Sequence, residues 1–292
     1  MEYSYYPGCS ARSTGLELGL STVALFEHLG LELKEIPDWN CCGASSAHSM
    51  SHALSLALPA RNLALAQQTE RDLVVPCAAC YSRLKAADHA LRNDPEARQE
   101  IETTVGFTFS GKVAVRPLLA VLYEDVGLGA IRDRTVRPLA GLKVVSYYGC
   151  LLVRPPQIAQ FDDPDDPHVM PDLVRAMGAE VRPWSHATDC CGAGLSLSRS
   201  DVVYGLVGKL AERAREAGAD AFVSACPLCQ TNLEMRQSGK DKLPSFYFTE
   251  LLGLAFGLPD VDKWWPKHLV DPRPLLRSLG LVGTPAHTAA VA

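Results

Sequence analysis

Ten cysteines carry most of the chemistry available to this sequence, and they fall into two matched sets of five. A double cysteine followed by glycine occurs as NCCGA at Asn40–Ala44 and again as DCCGA at Asp189–Ala193, 149 positions later. A CxxC pair repeats at the same offset, CAAC at Cys77–Cys80 and CPLC at Cys226–Cys229. In each half 34 residues separate the double cysteine from the CxxC. A fifth cysteine lies upstream, Cys9 in YPGC and Cys150 in YYGC, with 31 and 39 residues between it and the double cysteine. The longer gap falls in the proline- and aspartate-rich RPPQIAQFDDPDDPHVM. No cysteine is left over, so the repeat organises the chain.

Four chemistries compete for these thiols. A structural zinc wants four ligands in a tetrahedron, and five thiolates are one too many. A dithiol redox pair would suit CPLC at a strand-to-helix junction, but it leaves Cys9, Cys41, Cys42 and their repeats without a task. Burial as small apolar residues does not account for ten cysteines in two matched sets. Iron–sulfur clusters are held by thiolates, ordinarily four. A fifth, bridging thiolate would let one CCG turn ligate neighbouring irons, and its glycine would let the backbone pass close by or take a positive φ.

The elements that must position these cysteines repeat as well. TGLELGLSTVALFEHL (14–29) has helical apolar spacing with Gly30 as its stop, and LELKEIP reads as a strand entering the first CCG. PDLVRAM, Gly178 and AEVRPW are the second-half counterparts. After each CCG comes a helix, SHALSLALPARNLALAQQ or DVVYGLVGKLAERAREA. Short β-rich runs, DLVVPC and AFVSAC, then end at the CxxC, which opens a further helix. MEYSYYPGC and GLKVVSYYGC are the strands that open the two halves, and KVAVRPLLAVLYEDVG is a strand and helix that close the first. Alternating strands and helices predict an α/β protein with two pseudo-symmetric, duplicated domains, 1–135 and 136–292, the second with a C-terminal extension. The tail after about residue 270, with Pro272, Pro274 and Pro285, is expected to be poorly ordered.

The 292-residue chain is long enough for two cores, and its 47% hydrophobic and 21% charged residues suit a soluble globular protein. A net charge of −5 with no basic run argues against nucleic acid as a partner. MEYSYYPGCS has no basic region and no apolar h-region, and no apolar stretch is long enough for a transmembrane segment. A cytoplasmic protein is expected, and in a reducing compartment grouped cysteines are metal ligands or catalytic thiols more often than disulfides.

These residues resemble the cysteine-rich CCG domain, and the two-copy arrangement resembles the B subunit of heterodisulfide reductase over nearly the whole chain, including FYFTELLGLAFGL and KHLVDPRPLL. The resemblance implies a non-cubane 4Fe–4S cluster on each set. Cys9, Cys41, Cys42, Cys77 and Cys80 would hold one, and Cys150, Cys190, Cys191, Cys226 and Cys229 the other. It also implies an enzyme that reduces, or in reverse forms, a disulfide clamped between the clusters. The implied partners are the ferredoxin-like and the flavin-containing subunits of a heterodisulfide reductase-type complex. Two one-electron centres suit a reaction that needs two electrons.

Proton donors to the thiolate products are sought in His48, His52 and His186, near the CCG motifs, and His168 in the longer second-half loop. A histidine in such a place is more often a surface or core-capping residue. Arg12 and Arg154 follow the first cysteine of each half and are candidates to pair with an anionic substrate, or are solvated. Trp264 and Trp265 are a docking patch or the packing of the last helix. A competing function is a quinone-linked electron-transfer subunit of a succinate or fumarate reductase, with ELLGLAFGLPDVDKWW as the one anchor candidate, although a core helix suits that stretch better. A scaffold or electron carrier with a single cluster fits two complete sets poorly.

Overall fold

The computed structural model describes residues 1–44 and 47–283. Two four-stranded, all-parallel sheets form the frame, one from each half. The first has the order β2-β1-β3-β4, from β1 (Glu2–Tyr5), β2 (Glu32–Glu35), β3 (Leu73–Val75) and β4 (Val115–Pro117). The second repeats it as β6-β5-β7-β8, from β5 (Lys143–Tyr147), β6 (Glu180–Val181), β7 (Ala221–Ser224) and β8 (Ser245–Tyr247). In the first sheet Tyr3 pairs with Leu33 and Ser4 with Leu73; in the second Val144 pairs with both Val181 and Ala221. The expected fold class is therefore the observed one. β6 is shorter than AEVRPW suggests: its ladder amides are those of Glu180 and Arg182, and at the next step the Ser146 carbonyl is taken by the Trp184 indole N–H at 3.0 Å.

Helices connect the strands: α1 (Leu16–Leu29), α2 (His52–Gln67) and α3 (Ala78–Asn93) in the first half. α4 (Val169–Ala176), α5 (Ser200–Glu216), α6 (Pro227–Arg236), α7 (Phe248–Ala255) and α8 (Arg273–Ser278) follow. β7 is buried along its whole length, as a parallel strand covered by helices must be.

The two halves pack through shared elements. Ser21 on α1 and Thr249 on α7 share a 2.6 Å hydroxyl hydrogen bond, both side chains being buried. Tyr81 on α3 donates to the carbonyl of Ala159. Every residue of α7 is buried, so ELLGLAFGL is a core helix. Trp264 and Trp265 are also buried, at 1% exposure each, and Trp265 packs edge-on to Phe246 at 5.9 Å. They are packing residues and not a docking patch. The tail departs from expectation as far as Gly283. α8 buries Leu276, Leu281 is also buried, and Arg137 donates to the Leu281 carbonyl at 3.2 Å. The final stretch with Pro285 lies outside the described residues.

Candidate functional site

All ten cysteines sit beyond the carboxyl ends of strands. Cys9 and Cys150 follow β1 and β5, the CCG turns follow β2 and β6, and the CxxC pairs follow β3 and β7. In an open parallel sheet this crevice is where ligands bind, at the point where the strand order turns back. Cys77 and Cys226 are the N-caps of α3 and α6, where the helix dipole favours a thiolate; Cys226 is the one drawn down, whereas Cys226 and burial push Cys77 up. Pro227 occupies the first position of α6, where its missing N–H costs nothing.

Within the first set Cys42 Sγ lies 3.4 Å from Cys80 Sγ, and Cys41 Sγ lies 3.7 Å from Cys9 Sγ. In the second set Cys191 and Cys229 are 3.6 Å apart. The amide following each vicinal pair donates to its first thiol, Gly43 to Cys41 at 3.5 Å and Gly192 to Cys190 at 3.3 Å. Both glycines have positive φ, +76° and +79°, as the turn requires. Cys150 and the Gly192 amide push the Cys190 thiol down to about 6 against the opposing effect of burial. Cys42 and Cys9 push Cys41 down in the same way. Cys80 and Cys229, fully enclosed beside their partner thiols, are pushed up.

The two sets meet at their CxxC turns. The Ala78 amide donates to the Ala225 carbonyl at 3.1 Å, and the Cys226 thiol is drawn down by its neighbours Cys229 and, across the halves, Cys77. A cavity of about 160 Å³ opens at this junction. All five second-set cysteines line it, and so do Ala44, His48, Ala78 and Arg83 from the first half.

Among the described residues, no group of three or more Cys, His, Asp or Glu side chains is arranged to hold one metal ion. The fit of a polynuclear cluster rests on the donor set, the cavity and a pair of backbone cradles. A Cβ on Gly8 would lie 2.8 Å from Cys80 Sγ, and one on Gly149 would lie 2.9 Å from Cys229 Sγ. Both positions have positive φ, +72° and +63°. Gly8→Ala and Gly149→Ala are each expected to cost at least roughly 1–2 kcal/mol through left-handed strain alone. Melting should fall by about 2–4 °C per kcal/mol, together with iron content. Unchanged melting and iron would show that these close approaches do not shape the site.

The sequence candidates scatter around this centre. His48 is exposed and lines the cavity, while His52 is exposed at the start of α2. His186 stacks against Trp184 at 6.0 Å, takes part in a 3.0 Å hydrogen bond with Ser185 and lies 3.9 Å from Asp189; it does not line the cavity. His168 pairs with Asp162 at 3.0 Å and faces a separate cleft beside Arg182 and Trp184. Arg12 is held by Glu35, and Arg154 bonds Asp165 and the Pro164 carbonyl at 3.0 Å each, so both arginines are tied down. Arg83 is a cavity residue that sequence reasoning passes over. Its signal is its place three residues after Cys80 on a helix, which sets the two side chains on one face.

The cysteine-rich (CCG) domain matches this chain twice, over residues 3–85 and 144–234, and each match contains one complete set of five cysteines. The chain belongs to the two-copy CCG family that includes the B subunits of heterodisulfide reductases. It is 28% identical over 271 residues to the B subunit of the ferredoxin:CoB-CoM heterodisulfide reductase of Methanosarcina mazei, covering 88% of this chain and 90% of that one. It is 29% identical over 272 residues to a protein of Archaeoglobus profundus described as like the heterodisulfide reductase B subunit, covering 88% and 91%. It is also 30% identical over 280 residues to the 8-methylmenaquinol:fumarate reductase membrane anchor subunit of Wolinella succinogenes, covering 92% and 97%. A solved hypothetical protein from Helicobacter pylori shares the fold, with a TM-score of 0.67 at 12% identity over 90% of this chain, which spans about half (50%) of that protein. Among the described residues no helix is long and apolar enough to cross a membrane.

Proposed function

We propose that this CCG-family chain is the catalytic iron–sulfur subunit of a heterodisulfide reductase-like complex. It reduces a disulfide to two thiols, or runs the reverse. The observation that carries this reading is the junction of the two CxxC turns, where the Ala78 amide bonds the Ala225 carbonyl and a cavity lined by all five second-set cysteines opens against Ala78 and Arg83 of the first half. Cys9, Cys41, Cys42, Cys77 and Cys80 would hold one non-cubane 4Fe–4S cluster, and Cys150, Cys190, Cys191, Cys226 and Cys229 a second. When bound, such clusters supply electrons one at a time. Breaking one S–S bond takes two electrons and two protons and yields two thiols. The electrons would come from a ferredoxin-like partner, itself served by a flavin-containing one. His48, at the cavity wall, is positioned to pass a proton to a thiolate there, and His186 stands behind the second CCG turn. The apolar wall formed by Ala44, Leu151 and Leu228 limits water around the reacting sulfurs. The functional halves would divide near residue 135, with 1–135 and 136–292 each carrying one set, and the complex would work in the cytoplasm.

A second reading is favoured by the Wolinella relative, which this chain matches over 97% of its length. In it the same clusters serve a quinone-linked fumarate or succinate reductase.

Purification without oxygen, followed by assay of iron and acid-labile sulfide, is expected to give about eight of each per chain. Reduction of a disulfide by a viologen dye would then favour the first reading. Oxidation of a menaquinol by the holo-protein, with no disulfide reduction, would favour the second. Zinc without sulfide would sink both.

A further inference from the structure

One buried ionisable group near the junction has no task in the reading above. Glu17, in the first turn of α1, is 4% exposed, and no ion pair to its carboxyl occurs among the described residues. The one cation that eases it, His268, is already held between Glu234 on α6 and Glu250 on α7, so Glu17 is a third carboxyl around one imidazole. These three are the charged groups that face it. Arg12, in the turn before α1, is committed to Glu35, and Lys267, next to His268, is exposed. A buried carboxylate without a cation of its own is costly, and taking up a proton removes that cost.

Glu17 also stands close to where the halves meet. Two residues before it, a Cβ on Gly15 would lie 2.9 Å from Pro227 Cβ and 3.0 Å from the Tyr247 hydroxyl, so the start of α1 rests on the residue that follows Cys226. Tyr247 is fully buried there, and its hydroxyl has no hydrogen-bond partner among the described residues. Burial holds this phenol up, and Glu17, Glu250, Cys226 and Cys77 add to the effect, which gathers the carboxyls and the junction thiols around one hydroxyl. We infer that Glu17 is a redox-linked proton acceptor: an electron entering the thiolate-rich junction is matched by one proton taken from water onto the Glu17 carboxylate. The one-electron donor is oxidised, the junction gains the electron, and the carboxylate becomes a carboxylic acid with one new O–H bond; no other bond changes. One of the two protons that disulfide cleavage needs is then stored before the substrate reacts. This rests on the iron–sulfur part of the reading above and not on which substrate is used.

Added negative charge at the junction favours the neutral carboxyl, so the reduced protein holds the proton more tightly than the oxidised one. The midpoint potential is therefore level at low pH, where Glu17 is protonated in both states. It falls once pH passes the point at which the oxidised protein loses that proton, which burial and then Glu250 push up to about 7. An EPR-monitored redox titration of the anaerobic holo-protein between about pH 6 and 9 reads this dependence. In the wild type the potential should fall above about pH 7, towards the limit of a tenfold change in the reduction equilibrium per pH unit that one proton per electron sets. E17Q, which keeps the size and stays neutral at every pH, should be level across the range, and E17D should restore a slope. A level wild type, or the same slope in E17Q, would overturn the inference. If E17Q loads less iron than the wild type, redox-difference infrared spectra of the wild type decide. A carboxylic-acid C=O band that appears on reduction and shifts in heavy water upholds the inference, and no such band overturns it. A protein that takes up no iron would sink the iron–sulfur reading and this inference with it, whereas iron with a level potential sinks the inference alone.

Discussion

Cys191→Ala is expected to remove about half of the iron, leaving roughly four atoms per chain, and to abolish nearly all disulfide turnover. Cys191 is buried between Cys229 at 3.6 Å and the Asn232 amide, also at 3.6 Å, at the centre of the second set. Losing an outer-sphere partner of a metal ligand typically costs about 10–100-fold, which sets the floor for losing the ligand itself. Cys42→Ala should produce the same loss in the first set, because Cys42 stands against Cys80 as Cys191 does against Cys229. The two variants should retain complementary EPR signals. Cys226→Ala should behave differently, since Cys226 adjoins the Ala225 carbonyl that binds the Ala78 amide next to Cys77, and some first-set iron should be lost with the second. A Cys191→Ala protein that keeps all its iron would show that the site does not use five thiolates. One that loses all of it would show that the two sets cannot be loaded independently.

The repeat is readable because each half obeys local rules. Gly30 and Gly178 carry positive φ where the helices are expected to stop, and the CxxC pairs open helices where the short β runs end. What joins the halves is not readable. The bond from Ala78 to Ala225 and the reach of Arg83 into the second set depend on how two domains dock, and no period in the sequence encodes that. Arg12 and Arg154 look available in the sequence because their carboxylate partners lie 23 and 11 positions away in loops and short strands. KWWPKH looks like surface because its charged neighbours are exposed while the indoles turn inward. His268, in the same run, has no local signal because both of its partners come from distant helices.

Those partners make His268 the site of the second large effect. Its side chain is fully buried between Glu234, 2.8 Å from Nδ1, and Glu250, 2.9 Å from Nε2. The remaining carboxylate oxygens are occupied by the Leu269 amide at 2.6 Å and the Tyr247 amide at 2.9 Å. Removing the cation in His268→Ala leaves two buried carboxylates facing each other, and the loss of one member of such an assembly costs about 3–5 kcal/mol. Melting should drop by roughly 6–20 °C, whereas His268→Gln, which keeps a donor, should fall less. The pH dependence has a definite sign. Burial by itself pushes the imidazole down, but Glu250 and Glu234 outweigh it and hold it up at about 11. The ordinary value in an unfolded chain is about 6.5. Because the folded value is the higher one, the stabilisation is complete below about 6.5, shrinks as pH rises and is gone above about 11. Burial pushes Glu17 up to about 7, so that carboxyl sheds its own preference for the folded state at lower pH, between its ordinary value and about 7. The difference in stability between wild type and His268→Gln, followed from pH 7 to 10, should narrow steadily; Glu17 contributes near the start of that range, because the His268 cation also holds its carboxyl down. A constant difference would mean that the imidazole is neutral in the folded protein. The consequence reaches the chemistry through α6, which carries Cys229 near its start and Glu234 near its end. Loosening His268 frees the far end of that helix, so iron in the second set should be lost before iron in the first.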